Sequence, residues 1–307
     1  MTTLLIEDRI FEQHSMPSGH PECPERLMAI REALEGPGFE PLLRRGAAEV
    51  RDADLLAAHP PSHIQNIRAM SQVGGMAVDA DTWTSPESYR VARLAAGSAC
   101  AAVDAVLAGE ARNAFVASRP PGHHAEAETA MGFCLFNNAV VAARHAQRLR
   151  DRERVAIVDW DVHHGNGTQA LVWTDPSILY VSTHQSPLYP GTGSEDETGA
   201  GNIVNVTLPA GTDGPAYREV FADRVVPAVR AFAPDLVIVS AGFDAHARDP
   251  LAGLLLEAAD FAWATRQVMQ IADEACGGAV VSLLEGGYDL DGLADSVAAH
   301  VAELMRG

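Results

Sequence analysis

Short runs of β-branched and other apolar residues recur along the chain. Between them lie longer stretches in which apolar positions return every three or four residues. The runs at 4–6, 114–117, 155–158, 178–182, 203–208, 236–240 and 279–284 predict buried strands. The helical spacing predicts helices at 24–34, 52–59, 61–70, 87–107, 135–149, 217–232, 258–275 and 293–305. The helix over 87–107 is rich in alanine and stops at Gly109, a common helix terminator. A loop with His and Pro covers 11–24, and a second, with Gly74-Gly75 and several Asp, covers 73–86. Strands alternate with helices throughout, which predicts an α/β class with a central, mostly parallel sheet flanked by helices. No linker, repeat or low-complexity stretch divides the chain, so 1–307 reads as one domain.

Four of the strand runs break into unusual polar residues where they end, after Ala117, Val158, Ser240 and Leu284. Ligand sites in open parallel sheets lie beyond the carboxyl ends of the strands. The four segments are therefore expected to meet in one cleft, although strand order is not readable from the sequence. The sharpest break is Val158-Asp159-Trp160-Asp161-Val162-His163-His164-Gly165-Asn166-Gly167. A buried, unpaired carboxylate is costly, so a core strand that ends in charge needs a reason. Alternation along extended chain puts Asp159, Asp161 and His163 on one side, a donor mixture that zinc accepts. The plain alternative is an Asp-His pair capping a strand. Asp244, in Ala241-Gly242-Phe243-Asp244, supplies a third ligand of the right type; alone it would read as a cap or turn residue. Three protein ligands leave a zinc position open, as in catalytic sites, where the metal activates water and polarises a carbonyl.

Arg119-Pro120-Pro121-Gly122-His123-His124 places two histidines after another strand. One imidazole can take a proton from water and pass it to a leaving amine, with Asp159 and Asn166 as orienting groups; loop histidines exposed to solvent are the alternative. Tyr288 follows Gly286-Gly287, and its phenol can hydrogen-bond an oxyanion or simply pack as an aromatic.

Composition narrows the setting. Among 307 residues 47% are apolar, enough for a sizeable core, and no run approaches membrane-spanning length. The first residues lack the basic end and apolar stretch of a signal peptide, so a cytoplasmic protein is expected. Four cysteines, Cys23, Cys100, Cys134 and Cys276, form no CxxC and read as reduced thiols. The net charge of −19 argues against nucleic acid as a direct ligand. It would suit a cationic substrate, but solubility is the simpler reading of charge alone.

Together these motifs resemble the zinc-dependent histone deacetylase family, particularly its class II branch, bacterial deacetylase-like amidohydrolases and their acetylpolyamine-directed relatives. The resemblance runs from His20-Pro21-Glu22-Cys23-Pro24-Glu25-Arg26-Leu27 to Glu285-Gly286-Gly287-Tyr288. It takes in Arg119 to Glu126, Gly132-Phe133-Cys134-Leu135-Phe136-Asn137-Asn138, the Asp159 stretch and Ser240 to Ala245. It implies the arginase-deacetylase fold. It implies zinc on Asp161, His163 and Asp244, His124 as general base and acid, and His123 as its electrostatic partner. Asp159 would orient His123, Asn166 would hold His124, and Tyr288 would polarise the carbonyl. Gly132 and Phe133, with Tyr189 opposite, would wall an acyl-lysine tunnel, and Asp81 would sit at its rim. A structural potassium ion would take Asp159, Ser182 and main-chain oxygens of Asp161, His163 and Thr183. The implied reaction is hydrolysis of an acetyl amide, releasing acetate from an acetylated lysine peptide or protein.

Three other readings remain open. Pro21-Glu22-Cys23 resembles a constricting loop of polyamine-selective relatives, and Asp79 and Asp81 can meet an ammonium. Leu251, however, stands where those relatives carry an acidic gatekeeper. A non-catalytic binder of acylated proteins is the second alternative. A binuclear ureohydrolase is the third, but no ligand set for a second catalytic metal is evident. Iron(II) or cobalt(II) can also occupy these ligands, and the resemblance leaves the oligomeric state open.

Overall fold

The structure, a computed structural model, describes residues 2–149 and 153–307. The apolar runs form strands β1 (Thr3–Glu7), β2 (Leu43–Arg45), β3 (Asn113–Ala117), β4 (Val155–Asp159), β5 (Ile178–Gln185), β6 (Ile203–Leu208), β7 (Leu236–Ala241) and β8 (Val280–Leu284). They make one sheet in the order β2-β1-β3-β8-β7-β4-β5-β6, and every neighbouring pair is parallel. The core strands are buried on both faces, which is why they read as continuous apolar runs.

Helices cover both faces: α1 (Glu25–Leu34), α2 (Asp52–Leu55), α3 (Pro61–Gln72), α4 (Ser88–Leu107), α5 (Asn138–Gln147), α6 (Asn166–Val172), α7 (Gly214–Val220), α8 (Val226–Phe232), α9 (Ala258–Cys276) and α10 (Leu290–Arg306). Alternate strand residues feed two cores. Leu5, Phe115, Val158 and Val239 pack with Leu27 of α1, Phe261 of α9 and Val297 of α10. Leu4, Val116, Ile157 and Ile238 pack with Val103 of α4 and Val140 of α5. No helix is long and apolar enough to cross a membrane among the described residues.

Strand order supplies what the sequence lacked. The four strands that end in polar motifs, β3, β8, β7 and β4, lie side by side at the centre. Their ends are level: Val116 pairs with Leu283, Leu284 with Ala241, and Ser240 with Asp159. All four segments therefore leave the sheet at one edge.

Several boundaries differ from expectation. The strand β2 is three residues long and two are arginine, too short and polar to register as a pattern. The helix α6 starts at Asn166, inside a stretch whose glycines read as loop. The helix expected from 135 begins at Asn138, because the Asn137 side chain caps it by accepting from the Val140 amide at 2.9 Å. Of 52–59 only Asp52–Leu55 is regular helix. The stretch read as one helix over 217–232 starts earlier, at Gly214 behind an Asp213 cap, and passes through a π-turn at Phe221–Val225. The strand β5 continues to Gln185, beyond the expected end at Ser182.

Candidate active site

The floor of the site is the turn that follows β4. Asp159 Oδ1 accepts from the amide of Asp161 at 3.1 Å, and Asp161 Oδ1 accepts from the amide of His163 at 2.9 Å. Two side-chain-capped turns, rather than strand alternation, therefore set the positions of Asp161 and His163. Neighbouring strand ends fix the carboxylates. The Val162 amide donates to Asp244 Oδ1 at 2.8 Å, and the Gly286 amide donates to Asp161 Oδ2 at 2.8 Å. Asp161 Oδ1 and Asp244 Oδ2 each also lie 3.1 Å from Nδ1 of His163.

This arrangement calls for a cation. All three residues are buried, and one donor atom from each lies within 4.8 Å of the others. A single imidazole nitrogen carries one hydrogen, yet two carboxylates share it. Among the described residues the charged partners of Asp161 and Asp244 are imidazoles alone. Burial and the Asp161 charge raise the Asp244 carboxyl to about 7, despite His163. Burial opposes charge on His163, but hydrogen bonds to Asp161 and Asp244 raise it to about 10. Two oxygen donors and one nitrogen donor of this kind fit zinc. Glycine makes the approach possible: a Cβ on Gly242 would overlap Asp161, and one on Gly286 would overlap both Asp161 and Asp244.

The His123-His124 segment, beyond β3, is held by Glu285 from the end of β8. Its Oε2 accepts from the amides of Gly122 (2.7 Å) and His123 (3.2 Å), and Oε1 accepts from the Ser240 hydroxyl at 3.1 Å. The two rings then meet different partners. His123 Nδ1 lies 3.0 Å from Asp159 Oδ2, which also accepts from the Tyr180 hydroxyl at 2.9 Å. His124 Nδ1 lies 2.8 Å from Asn166 Oδ1. Burial works against charge on His123, but Asp161 and Asp159 hold its pKa well above the usual value. His124 has no carboxylate partner of its own, and burial, with His123 and His163 beside it, pushes its pKa well below. Neighbours in sequence thus differ in character, one cationic and one neutral.

A cavity of about 410 Å³ opens above His124 and His163. Its walls include Gly132, Phe133, Tyr189, Leu251 and Tyr288, with His20, Pro21 and Asp81 also lining it. Phe133 stands edge-on to Tyr288 at 5.7 Å, and Tyr189 edge-on to His124 at 5.1 Å. Phe133 has φ of 68°, a left-handed conformation uncommon for a bulky residue. Its amide donates to Thr82 Oγ1 at 3.1 Å, and Thr82 in turn donates to Asp81 Oδ1 at 3.0 Å.

The Tyr288 loop is clamped from below. Arg26 donates to the carbonyls of Glu285 (2.5 Å) and Gly287 (2.6 Å), and its guanidinium lies 4.9 Å from the Tyr288 ring centroid. Glu22 is buried between Arg26 and Arg119, pairing with both. The Tyr288 amide donates to Asp249 Oδ2 at 2.7 Å. Burial raises the Tyr288 phenol well above its usual pKa, so it carries its hydrogen at neutral pH.

The structure brings together Asp161, His163, Asp244, His123, His124, Asp159 and Asn166 at the floor, and Gly132, Phe133, Tyr189, Leu251, Tyr288 and Asp81 along the cavity. Ser182 pairs with Asp159 across β4 and β5, and Thr183 follows it. The Ser182 hydroxyl lies 2.9 Å from His184 Nδ1. Sequence reasoning missed the supporting roles of Glu285, Asp249, Tyr180, Arg26 and Glu22. Glu285 and Arg26 sit in quoted motifs, and a glutamate ending a buried strand was the available signal.

Comparisons with known proteins bear on the family and the fold. A family model described as the histone deacetylase domain matches residues 20–304. A histone deacetylase-like amidohydrolase of Pseudomonas aeruginosa is 43% identical, over 88% of this chain and 73% of that protein. A probable deacetylase of Archaeoglobus fulgidus is 37% identical, over 100% of this chain and 87% of that protein. The crystal structure of the HDA15 HD domain superposes with a TM-score of 0.91 at 38% identity, covering 98% of this chain and 88% of that one.

Proposed function

Because the chain belongs to the histone deacetylase family, we propose that it is a zinc-dependent hydrolase acting on acetylated lysine side chains of peptides or proteins, with residues 1–307 forming one catalytic unit. One observation carries the reading: two carboxylates and an imidazole converge beneath a cavity whose lining includes the His124 imidazole and the Tyr288 phenol. Asp161, His163 and Asp244 hold the zinc. Zinc bound there supplies Lewis acidity toward the amide carbonyl and its attacking water.

The chain's own residues do the rest. Gly132, Phe133, Tyr189 and Leu251 surround the apolar arm of the substrate and exclude water. Asp81 meets its backbone at the rim. Tyr288 donates its phenol hydrogen to the carbonyl oxygen, and the bond strengthens as that oxygen gains charge. His124 takes the proton of the attacking water at Nε2 and returns it to the leaving amine nitrogen. His123, held cationic by Asp161 and Asp159, adds positive potential beside the developing charge. Potassium, if bound, is held by Asp159 and Ser182 with main-chain oxygens of Asp161, His163 and Thr183. We assign the protein to the cytoplasm.

A polyamine reading draws on the acidic mouth: Asp81 is half-buried, and burial and Asp79 raise its carboxyl. Leu251, an apolar wall residue, favours the lysine arm. The test compares an acetyl-lysine peptide with acetylated putrescine and spermidine, using zinc-loaded and chelator-treated protein. Zinc-dependent acetate release with a higher kcat/KM on the peptide is expected. Preference for the polyamines would move the substrate class. Peptide binding without metal-dependent turnover would make the protein a binder.

A further inference from the structure

The amide of Asn166 faces His124 at one end and Glu126 at the other. An amide presents two similar ends, and its hydrogen-bond partners decide which is oxygen. Here the nitrogen end lies 2.8 Å from Glu126 Oε1 and 3.3 Å from the Met131 sulfur. A carboxylate and a thioether accept hydrogen bonds and do not donate them. The NH2 group must therefore point at Glu126 and Met131, and the Asn166 carbonyl must point at His124. A carbonyl only accepts, so the hydrogen of neutral His124 sits on Nδ1. The lone pair is left on Nε2, which has no hydrogen-bond partner among the described residues and belongs to a ring that lines the cavity.

We propose that Glu126 is a positioning residue that selects the reactive tautomer of His124 by fixing the orientation of Asn166. The inference rests on the reading of His124 as the base. The loop that carries Glu126 is anchored for this purpose. The Glu126 amide donates to the Thr129 carbonyl at 2.9 Å, and the preceding Ala125 carbonyl accepts from Asn137 Nδ2 at 3.2 Å. Glu126 itself is half-buried, so its side chain can be changed without opening the core.

The test uses full-length, zinc-loaded protein with Glu126→Gln, Glu126→Ala and Glu126→Lys. Glutamine still offers an acceptor and keeps the Asn166 orientation, so its kcat stays within about threefold of the parent. Lysine only donates; it draws the Asn166 carbonyl toward itself and turns the NH2 group to His124. That demands the Nε2–H tautomer and removes the base, lowering kcat about 100-fold with little change in KM. Alanine falls between the two. The ring 15N–1H correlation spectrum gives an independent reading: Nδ1–H in the parent and Nε2–H in Glu126→Lys. An Nε2–H parent ring, or a lysine variant with parental kcat, would overturn the inference. So would a loss confined to KM, which would make Glu126 a charge that attracts substrate. A parent without deacetylase turnover would instead sink the functional reading, while the ring spectrum would still decide the tautomer.

Discussion

At the scale of single residues, partners outrank residue type. His123 and His124 are chemically identical side chains one position apart. Asp161 and Asp159 hold the pKa of the first well above the usual value, while burial, with His123 and His163 nearby, pushes that of the second well below. Tyr288 shows the opposite economy. Its ring is held by Arg26 and Phe133, and its hydroxyl makes no hydrogen bond to any described residue. Tyr288→Phe therefore leaves no group unsatisfied, and zinc content and thermal midpoint should match the parent. If the phenol serves the carbonyl oxygen, kcat should drop by about 100-fold or more. Near-parental turnover of the Phe variant would remove Tyr288 from the mechanism.

At the scale of elements, strand ends decide where chemistry can happen. Gly286 lies just beyond β8 and Gly242 just beyond β7, and each lets a neighbouring carboxylate occupy the space of its missing Cβ. Gly286→Ala pushes directly on Asp161 and Asp244. We expect zinc affinity to fall about 10- to 100-fold with the far-UV spectrum unchanged. Full metal occupancy in a chelator competition would contradict that packing. The same ends explain what the sequence revealed. A β-branched run that stops at Asp159 or Glu285 is a local pattern, so every strand but β2 was legible, and so were the polar residues that gather beyond the strand ends. Strand order and the hold of Glu285 on the His123 loop depend on contacts between segments distant in the chain, 163 residues apart for Glu285 and Gly122. The capped turns after Asp159 are side-chain bonds to amides two residues on. No hydrophobic pattern encodes any of these. The helix α6 was hidden for a local reason, since Gly165 and Gly167 mask its start. Gly167 is needed because the backbone of His124 and Ala125 passes against it.

At the scale of the whole molecule, the interior holds titrating groups that pull in opposite directions. Burial keeps His300 neutral, with its pKa lowered from 6.5 to about 3, while burial raises Glu285 to about 7. For His300 the folded pKa lies below the unfolded one. The unfolded chain takes up the extra proton, and stability falls as pH drops from 6.5 toward 3. Glu285 acts in the other sense, so the parent alone would hide both. Comparing the parent with His300→Gln isolates one group. His300 lies between the Thr265 and Ser282 hydroxyls at 2.6 and 2.8 Å, which glutamine can still bond. Between pH 7 and pH 5 the parent should lose about 2 kcal/mol relative to the variant, measured by urea unfolding; parallel curves would show that His300 does not carry this penalty. The placement of β8 has a consequence for synthesis. It alone bridges β3 and β7, so a nascent chain has two unzipped half-sheets with raw edges until residues 280–284 clear the ribosome. Such edges invite wrong partners. The half-sheet that carries Asp161, His163 and Asp244 is closed on its β3 side only when this keystone drops in.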